Sequence, residues 1–165
     1  MSATTLGVRE SPAPPVRIVH IGLGAFHRSH LAWYTARAAD AAEWGIAAYT
    51  GRSAGLANDL TAQDGLYTLV VRSPEGDEAE RIGSIVRAHP GTDIPSFVND
   101  LAAPTTAIVS LTITEAAYAD SALSRDRTLL AGSADVELTS VRPATAIGRL
   151  VLGLEARRRA DSGGV

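Results

Sequence analysis

The chain has 165 residues, with 15 basic and 18 acidic side chains, a formal net charge of −3 and no cysteine. That length suffices for one domain with a sizeable core, the charge argues against a general nucleic-acid or membrane-surface role, and the lack of cysteine excludes disulfides and thiolate chemistry. All fifteen basic residues are arginine, so this sequence holds no lysine base, Schiff-base lysine or P-loop lysine.

Residues 1–15 are rich in Pro, Ser and Thr and lack the apolar core of a secretory signal. They read as a loose tail before a domain spanning 16–165, and the expected location is cytoplasmic. No apolar run approaches the ~20 residues of a membrane span. Val16 to Ile21 is a short apolar run, as a buried parallel strand requires. It stops at Gly22 and Gly24. A helical pattern follows from Phe26 to about Glu43, with Leu31, Tyr34, Ala38 and Ala41 on one face.

Strand, tight turn and helix start form the corner at which open α/β sheets bind dinucleotides. Gly22 would permit the turn, and Gly24, without a Cβ, would let backbone N–H groups approach a pyrophosphate. Ile21, Leu23, Ala25, Phe26, His27 and Arg28 surround that corner. The third glycine of the G-x-G-x-x-G pattern would fall at 27, where His27 stands. On the glycines alone, a nucleotide site and a plain strand-to-helix turn both remain open.

Ile46 to Thr50 reads as the second strand, entered through Trp44-Gly45. An NAD site would place an Asp or Glu at its end, on the ribose 2′-hydroxyl. The sequence has Thr50-Gly51-Arg52-Ser53 there, and no carboxylate before Asp59. Thr50, Arg52 and Ser53 are therefore candidate cofactor contacts, with Arg52 and Ser53 suited to a 2′-phosphate. The alternative is that Ser53 caps the next helix and Arg52 faces water. A short helix is predicted over 54–62. The segment 66–71 is β-rich, Arg72 to Asp77 is a turn, and Ile82 to Arg87 reads as completing a hairpin or small antiparallel excursion.

Asp93 to Leu101 reads as a helix. Ala107 to Thr114 is the best later strand, β-branched and uncharged as a central parallel strand should be. It stops at Glu115, and the carboxyl end of such a strand faces the ligand crevice, which makes Thr112, Thr114 and Glu115 candidate contacts on the nicotinamide side. Residues 119–142 give no clear reading. Pro143 opens a helix with Ile147, Leu150, Val151 and Leu154 on one face and Arg157, Arg158 and Arg159 in its last turns. The fold class is α/β: a mostly parallel sheet with flanking helices and a small β excursion.

Gly22-Leu23-Gly24-Ala25-Phe26-His27-Arg28-Ser29-His30 resembles the G-x-G-x-F-H-R-x-H signature of the polyol-specific long-chain dehydrogenases, which include mannitol dehydrogenases, mannitol-phosphate dehydrogenases and fructuronate reductases. Trp44-Gly45-Ile46 resembles the family's WGI, and Gln63-Asp64-Gly65-Leu66-Tyr67 its QDGLY. Thr112 to Tyr118 resembles T-x-T-E-K-G-Y, with Ala116 and Ala117 in place of Lys and Gly. Arg142-Pro143 ahead of the last helix fits the same pattern. These segments follow in order across about positions 16 to 160.

The resemblance implies a Rossmann-type domain that binds NAD or NADP, truncated before a second, mainly helical domain. That second domain carries the family's catalytic lysine, asparagine and histidine, and a strand with an S-C-D-N-like segment is expected past Val165. The chain is thus expected to be the front part of an oxidoreductase interconverting a sugar alcohol, of the mannitol or mannitol 1-phosphate type, and its keto sugar. The small-molecule substrate would be met through the missing domain. No catalytic residue and no metal ligand is assigned here: His27 and His30 are two histidines beside a cation. Phe26 and His27 are expected to shape the cofactor pocket, and Arg28 and His30 to orient the helix or meet the substrate domain. The alternative is a non-catalytic, stand-alone nucleotide-binding or interaction module. Oligomeric state stays open.

Overall fold

The computed structural model describes residues 9–51, 53–113, 120–132 and 135–161. Strand β1 (Val16–Ile21) is followed by helices α1 (Ala25–Ser29) and α2 (Leu31–Arg37), then by β2 (Gly45–Tyr49) and α3 (Gly55–Ala62). Strands β3 (Tyr67–Ser73), β4 (Gly76–Ile82) and β5 (Ile85–His89) precede α4 (Ile94–Ala102) and β6 (Ile108–Leu111). Helices α5 (Asp120–Ala131) and α6 (Ala146–Asp161) close the described chain.

The main sheet has the order β5-β2-β1-β6 and every pairing in it is parallel. Successive residues of a strand point to opposite faces, and both faces are covered. Ile18, Ile46 and Ala48 pack with Leu60, Tyr67, Ile82 and Ile85 on one side. Val19, Ile21, Ala47 and Tyr49 pack with Phe97, Leu101 and Ala146 on the other. The four-residue apolar pattern of β2 is therefore a strand buried on both sides, with Ile46, Ala47 and Ala48 at 0% exposure. Among the described residues no helix is long and apolar enough to cross a membrane.

The excursion is a two-stranded antiparallel hairpin, β3 against β4, running from Tyr67↔Ile82 to Ser73↔Gly76. The reading of Ile82 to Arg87 as one antiparallel piece is corrected. Ile82 ends the hairpin, and Ile85–His89 is a separate strand parallel to β2. Gly83-Ser84 makes the break, and the Ser84 hydroxyl donates to the Ala32 carbonyl at 2.6 Å, which fixes the crossing point under α2.

The single helix predicted over 26–43 is two helices and a short 3-10 turn at Ala41–Glu43. It breaks at His30 (φ −123°, ψ −91°). There the Phe26 carbonyl meets the His30 backbone N–H at 3.0 Å, the Ser29 hydroxyl at 3.3 Å and the His30 ring at 2.9 Å. Side chains compete with the helix ladder for one acceptor.

Two further expectations change. β6 is an edge strand of the described sheet, with Ile108 44% exposed. Helix α6 starts at Ala146, and its buried face is built of small residues as well as Leu152: Gly148, Gly153 and Ala156. A Cβ on Gly153 would lie 2.6 Å from Leu101 Cδ1, so α6 approaches α4 closely only because that atom is missing. Leu150 packs on the core, whereas Val151 and Leu154 of the predicted stripe are 46% and 50% exposed.

Ahead of β1, Arg9 donates to the carbonyls of Asp64 at 3.0 Å, Gly83 at 2.6 Å and Ile85 at 2.5 Å. The segment 9–15 is thereby attached to the ends of β4 and β5.

Candidate functional site

The carboxyl ends of β1, β2, β5 and β6 meet at one edge of the parallel sheet. Gly22 and Gly24 sit there, and each is glycine for a different reason. Gly22 has φ 111°, in the region that favours glycine, and a Cβ on it would lie 2.1 Å from the Thr112 carbonyl oxygen. Its N–H and that of Leu23 both donate to the Tyr49 carbonyl at 2.9 Å, while Thr112 N–H donates to Ile21 O at 2.8 Å. The turn is thus bolted between β2 and the end of β6.

Gly24 has φ −154°, which any residue adopts, and the nearest atom to a Cβ on it would be Gly22 O at 3.7 Å. Among the described residues nothing requires a glycine at 24. The residue leaves an open surface at the start of α1, flanked by the exposed Ala25 and Phe26. Phe26 is 61% exposed and stacks on His30 with ring centroids 4.0 Å apart.

His27 lies on the inner side of the same turn. It is 1% exposed and stacks on His20 of β1, with centroids 3.7 Å apart and planes at 11°. His20 Nδ1 pairs with the Ser110 hydroxyl at 2.8 Å, while His20 Nε2 and both His27 ring nitrogens are buried without a partner among the described residues. Burial pushes His20 down to about 4, and burial together with the neighbouring His20 and Arg28 pushes His27 down to about 3. Both rings are neutral at pH 7. His27 therefore fills the space behind the loop, where a third glycine would bring helix and strand together.

Arg28 holds the loop as well. Its Nε donates to Gly24 O at 3.3 Å, its carbonyl accepts from the Tyr67 hydroxyl at 2.5 Å, and its guanidinium lies 5.9 Å from the Tyr67 ring centroid. Among the described residues, no group of three or more His, Asp or Glu side chains is placed to hold a metal ion.

At the end of β2, Thr50 is buried, and its hydroxyl accepts from Gly91 N–H at 3.1 Å. Among the described residues, apart from its chain neighbours, nothing lies within 4 Å of where a Cβ on Gly51 would stand. The Ser53 hydroxyl accepts from Gly55 N–H at 3.3 Å in a local turn, one residue ahead of the Ala54 N-cap of α3. Arg52, Thr114 and Glu115 lie outside the described residues.

A cavity of about 760 Å³ opens between these strand ends and the segment before α6. Ile21, Gly51 and Thr112 line it, joined by residues the sequence reading did not single out as site residues: Gly91, Thr92, Arg142, Thr145 and Arg149. Only the Arg142-Pro143 dipeptide was visible as a signal. Asp126 of α5 shapes the far wall by accepting from the backbone N–H groups of Ala144 and Thr145, both at 2.9 Å, and from the Thr145 hydroxyl at 2.6 Å.

A parallel sheet covered on both faces, with a two-glycine corner after its first strand and a cavity at the strand ends, defines the Rossmann class of nucleotide-binding folds. Residues 16–164 match the family described as the mannitol dehydrogenase Rossmann domain, and the chain belongs to that family. It is 39% identical over 150 residues to D-mannonate oxidoreductase of Escherichia coli (strain K12), covering 86% of this chain and 31% of that protein. It is 37% identical over 153 residues to mannitol 2-dehydrogenase of Aspergillus clavatus, covering 86% and 30% respectively. The fold superposes on Pseudomonas fluorescens mannitol 2-dehydrogenase, solved as a ternary complex with NAD and D-mannitol, with TM-score 0.72 and 31% identity over 90% of this chain and 32% of that one. The chain spans a little under a third of the length of these relatives.

Proposed function

We propose that this chain is the N-terminal dinucleotide-binding part of an NAD(P)-dependent oxidoreductase that interconverts a sugar alcohol and its keto sugar. The observation that carries the reading is Gly24: neither its backbone angles nor its described neighbours require a glycine, which supports an approach to the missing Cβ from outside. Membership of the family and the NAD in the mannitol 2-dehydrogenase complex support the same reading.

In this assignment the backbone at Gly22, Leu23, Gly24 and Ala25 receives the pyrophosphate. Gly51, with Arg52 and Ser53, adjoins the adenosine ribose, and Thr112, with Thr114 and Glu115, adjoins the nicotinamide side. Ile21 and Phe26 border the cofactor, Thr50 holds the strand end from within, and His27 and Arg28 fix the loop from behind. When bound, the nicotinamide supplies the hydride acceptor or donor. This chain supplies binding and orientation. The lysine that the family resemblance implies as the base is not in this sequence, so proton removal from the alcohol is assigned to a group outside it. The polyol or keto-sugar substrate would be met through a further domain, and the protein is assigned to the cytoplasm.

Isothermal titration of the 165-residue chain with NAD and with NADP tests the assignment. Saturable binding of at least one is expected, without oxidation of mannitol by the chain alone. No binding of either dinucleotide, with the chain folded, would overturn it.

A further inference from the structure

The cavity at the strand ends holds two guanidinium groups and, among its described lining residues, no carboxylate. Arg149 is the more informative of the two. It is only 8% exposed, yet it makes no ion pair among the described residues. Its Nη1 donates to the Gly91 carbonyl and its Nε donates to the Thr145 carbonyl at 3.3 Å. Its Nη2 has no hydrogen-bond partner among the described residues and is not sealed from solvent, and the cavity is the open space that Arg149 lines.

A buried cation without a counter-charge is costly, and such groups are normally paired. Asp126 is the carboxylate whose charge reaches Arg149. Its two oxygens are already taken by Ala144 N–H, Thr145 N–H and the Thr145 hydroxyl. The fixed counter-charge is thus shared with the backbone before α6, and Arg149 keeps one donor group, Nη2, free of any protein acceptor among the described residues. Arg142 adds a second cation at the rim of the same cavity. It is exposed, and its Nη1 donates to the carbonyls of Thr139 and Val141. Two planar donor forks on a wall whose described residues carry no carboxylate suit a phosphoryl oxyanion rather than a neutral sugar.

We propose that this cavity receives a phosphoryl group, held by Arg149 from the inner wall and Arg142 from the rim, with the Thr92 hydroxyl as a further donor. The inference deepens the dinucleotide assignment and rests on it for one of two sources. The first source is a 2′-phosphate on the adenosine ribose. A Cβ on Gly91 would touch Thr50 O, Gly51 O and Arg149 Nη1 together, so the buried guanidinium meets the end of β2 where that ribose is assigned. The second source is a phosphate carried by a separate molecule, such as a phosphorylated sugar.

Titration of the intact 165-residue chain with NAD, NADP and inorganic phosphate, repeated on Arg142→Ala, separates these outcomes. If the phosphate belongs to the cofactor, NADP binds at least tenfold tighter than NAD and Arg142→Ala removes most of that gain while leaving NAD affinity unchanged. If it belongs to a separate molecule, NAD and NADP bind alike, and phosphate binds the NAD-saturated chain with an affinity that Arg142→Ala lowers about tenfold. Thermal melts with and without phosphate give a second readout: a phosphate-dependent rise in the wild type and none in Arg149→Lys or Arg142→Ala. Equal NAD and NADP affinities together with no phosphate effect on the NAD-saturated chain would overturn the inference and leave the dinucleotide assignment standing. Arg142-dependent phosphate binding by a chain that binds no dinucleotide would do the reverse.

Discussion

The rings of His20 and His27 stack 3.7 Å apart, and among the described residues only His20 Nδ1 of their four nitrogens has a partner, the Ser110 hydroxyl. The pair joins β1, β6 and α1 under the glycine turn, and it does so only while both rings are neutral. Folding lowers His20 to about 4 and His27 to about 3 from an ordinary value of 6.5. Above 6.5 both states hold neutral rings and the pair's contribution is fully present. As pH falls below 6.5 the unfolded chain takes up protons that the folded chain refuses, so stability drops with acid until the folded values are reached. The loss is on the order of a few kcal/mol per ring. Urea unfolding between pH 7.5 and 4.5 is expected to show that slope. His27→Phe, which keeps a flat ring and removes one titrating group, should flatten it. An unchanged slope in this variant would remove His27 from the effect.

The two glycines of the turn predict opposite phenotypes. Gly22→Ala places a Cβ against the Thr112 carbonyl and forces φ 111° on an L side chain. It is expected to destabilise the chain by about 2 kcal/mol or more. Gly24→Val has ordinary backbone angles and room for the Cβ, so its melting temperature should stay near that of the wild type. Its dinucleotide affinity should fall more than tenfold, because the side chain occupies the surface assigned to the pyrophosphate. Calorimetry beside thermal melts reads both effects. A Gly24→Val protein that binds as the wild type does would break the link between the open surface and the cofactor.

Where local pattern determines structure, the sequence was legible. The β1 run, the Gly22–Gly24 turn, β2, α3, the Arg72–Asp77 turn and α4 all lie where periodicity and turn residues place them. Elements set by distant partners were not. Ile82 to Arg87 reads as one piece completing a hairpin until Ser84 is seen to bond Ala32, 52 positions away. The buried face of α6 includes Gly148, Gly153 and Ala156 beside Leu152, and Gly153 carries no hydrophobic signal and matters because α4 comes so near. Helix α5 is polar in sequence, and its buried Asp126 has its partners 18 and 19 positions downstream. The site divides the same way. The glycine corner was visible as a motif, whereas Arg149 enters the cavity through a carbonyl 58 positions away.

The attachment of the segment before β1 rests on Arg9. Its side chain is 11% exposed and donates to three carbonyls at the ends of α3, β4 and β5. Arg9→Ala leaves the Gly83 and Ile85 carbonyls without that donor, at a cost of about 1–3 kcal/mol. Removal of residues 1–15 should cost at least as much, and Arg9→Lys, with a single ammonium in place of the fork, should recover only part. Equal stability of the shortened and full chains in urea would show that the first fifteen residues are dispensable.

Asp126 is the joint between α5 and α6, and it also sets the wall of the phosphoryl cavity. Its carboxylate accepts three hydrogen bonds from Ala144 and Thr145 just ahead of α6, and these hold it below the ordinary carboxylate range against the opposing effect of burial. Asp126→Ala strands two backbone N–H groups and a hydroxyl and removes a negative charge that acts on Arg149. The expected loss is about 3 kcal/mol of stability. Asp126→Asn keeps one acceptor oxygen and should lose less. Both variants leave Arg149 with less compensation, so a bound oxyanion becomes more stabilising to the fold. The rise in melting temperature on adding phosphate should therefore be larger in Asp126→Asn than in the wild type. A smaller rise would mean that Asp126 helps to position the guanidinium rather than competing for its charge.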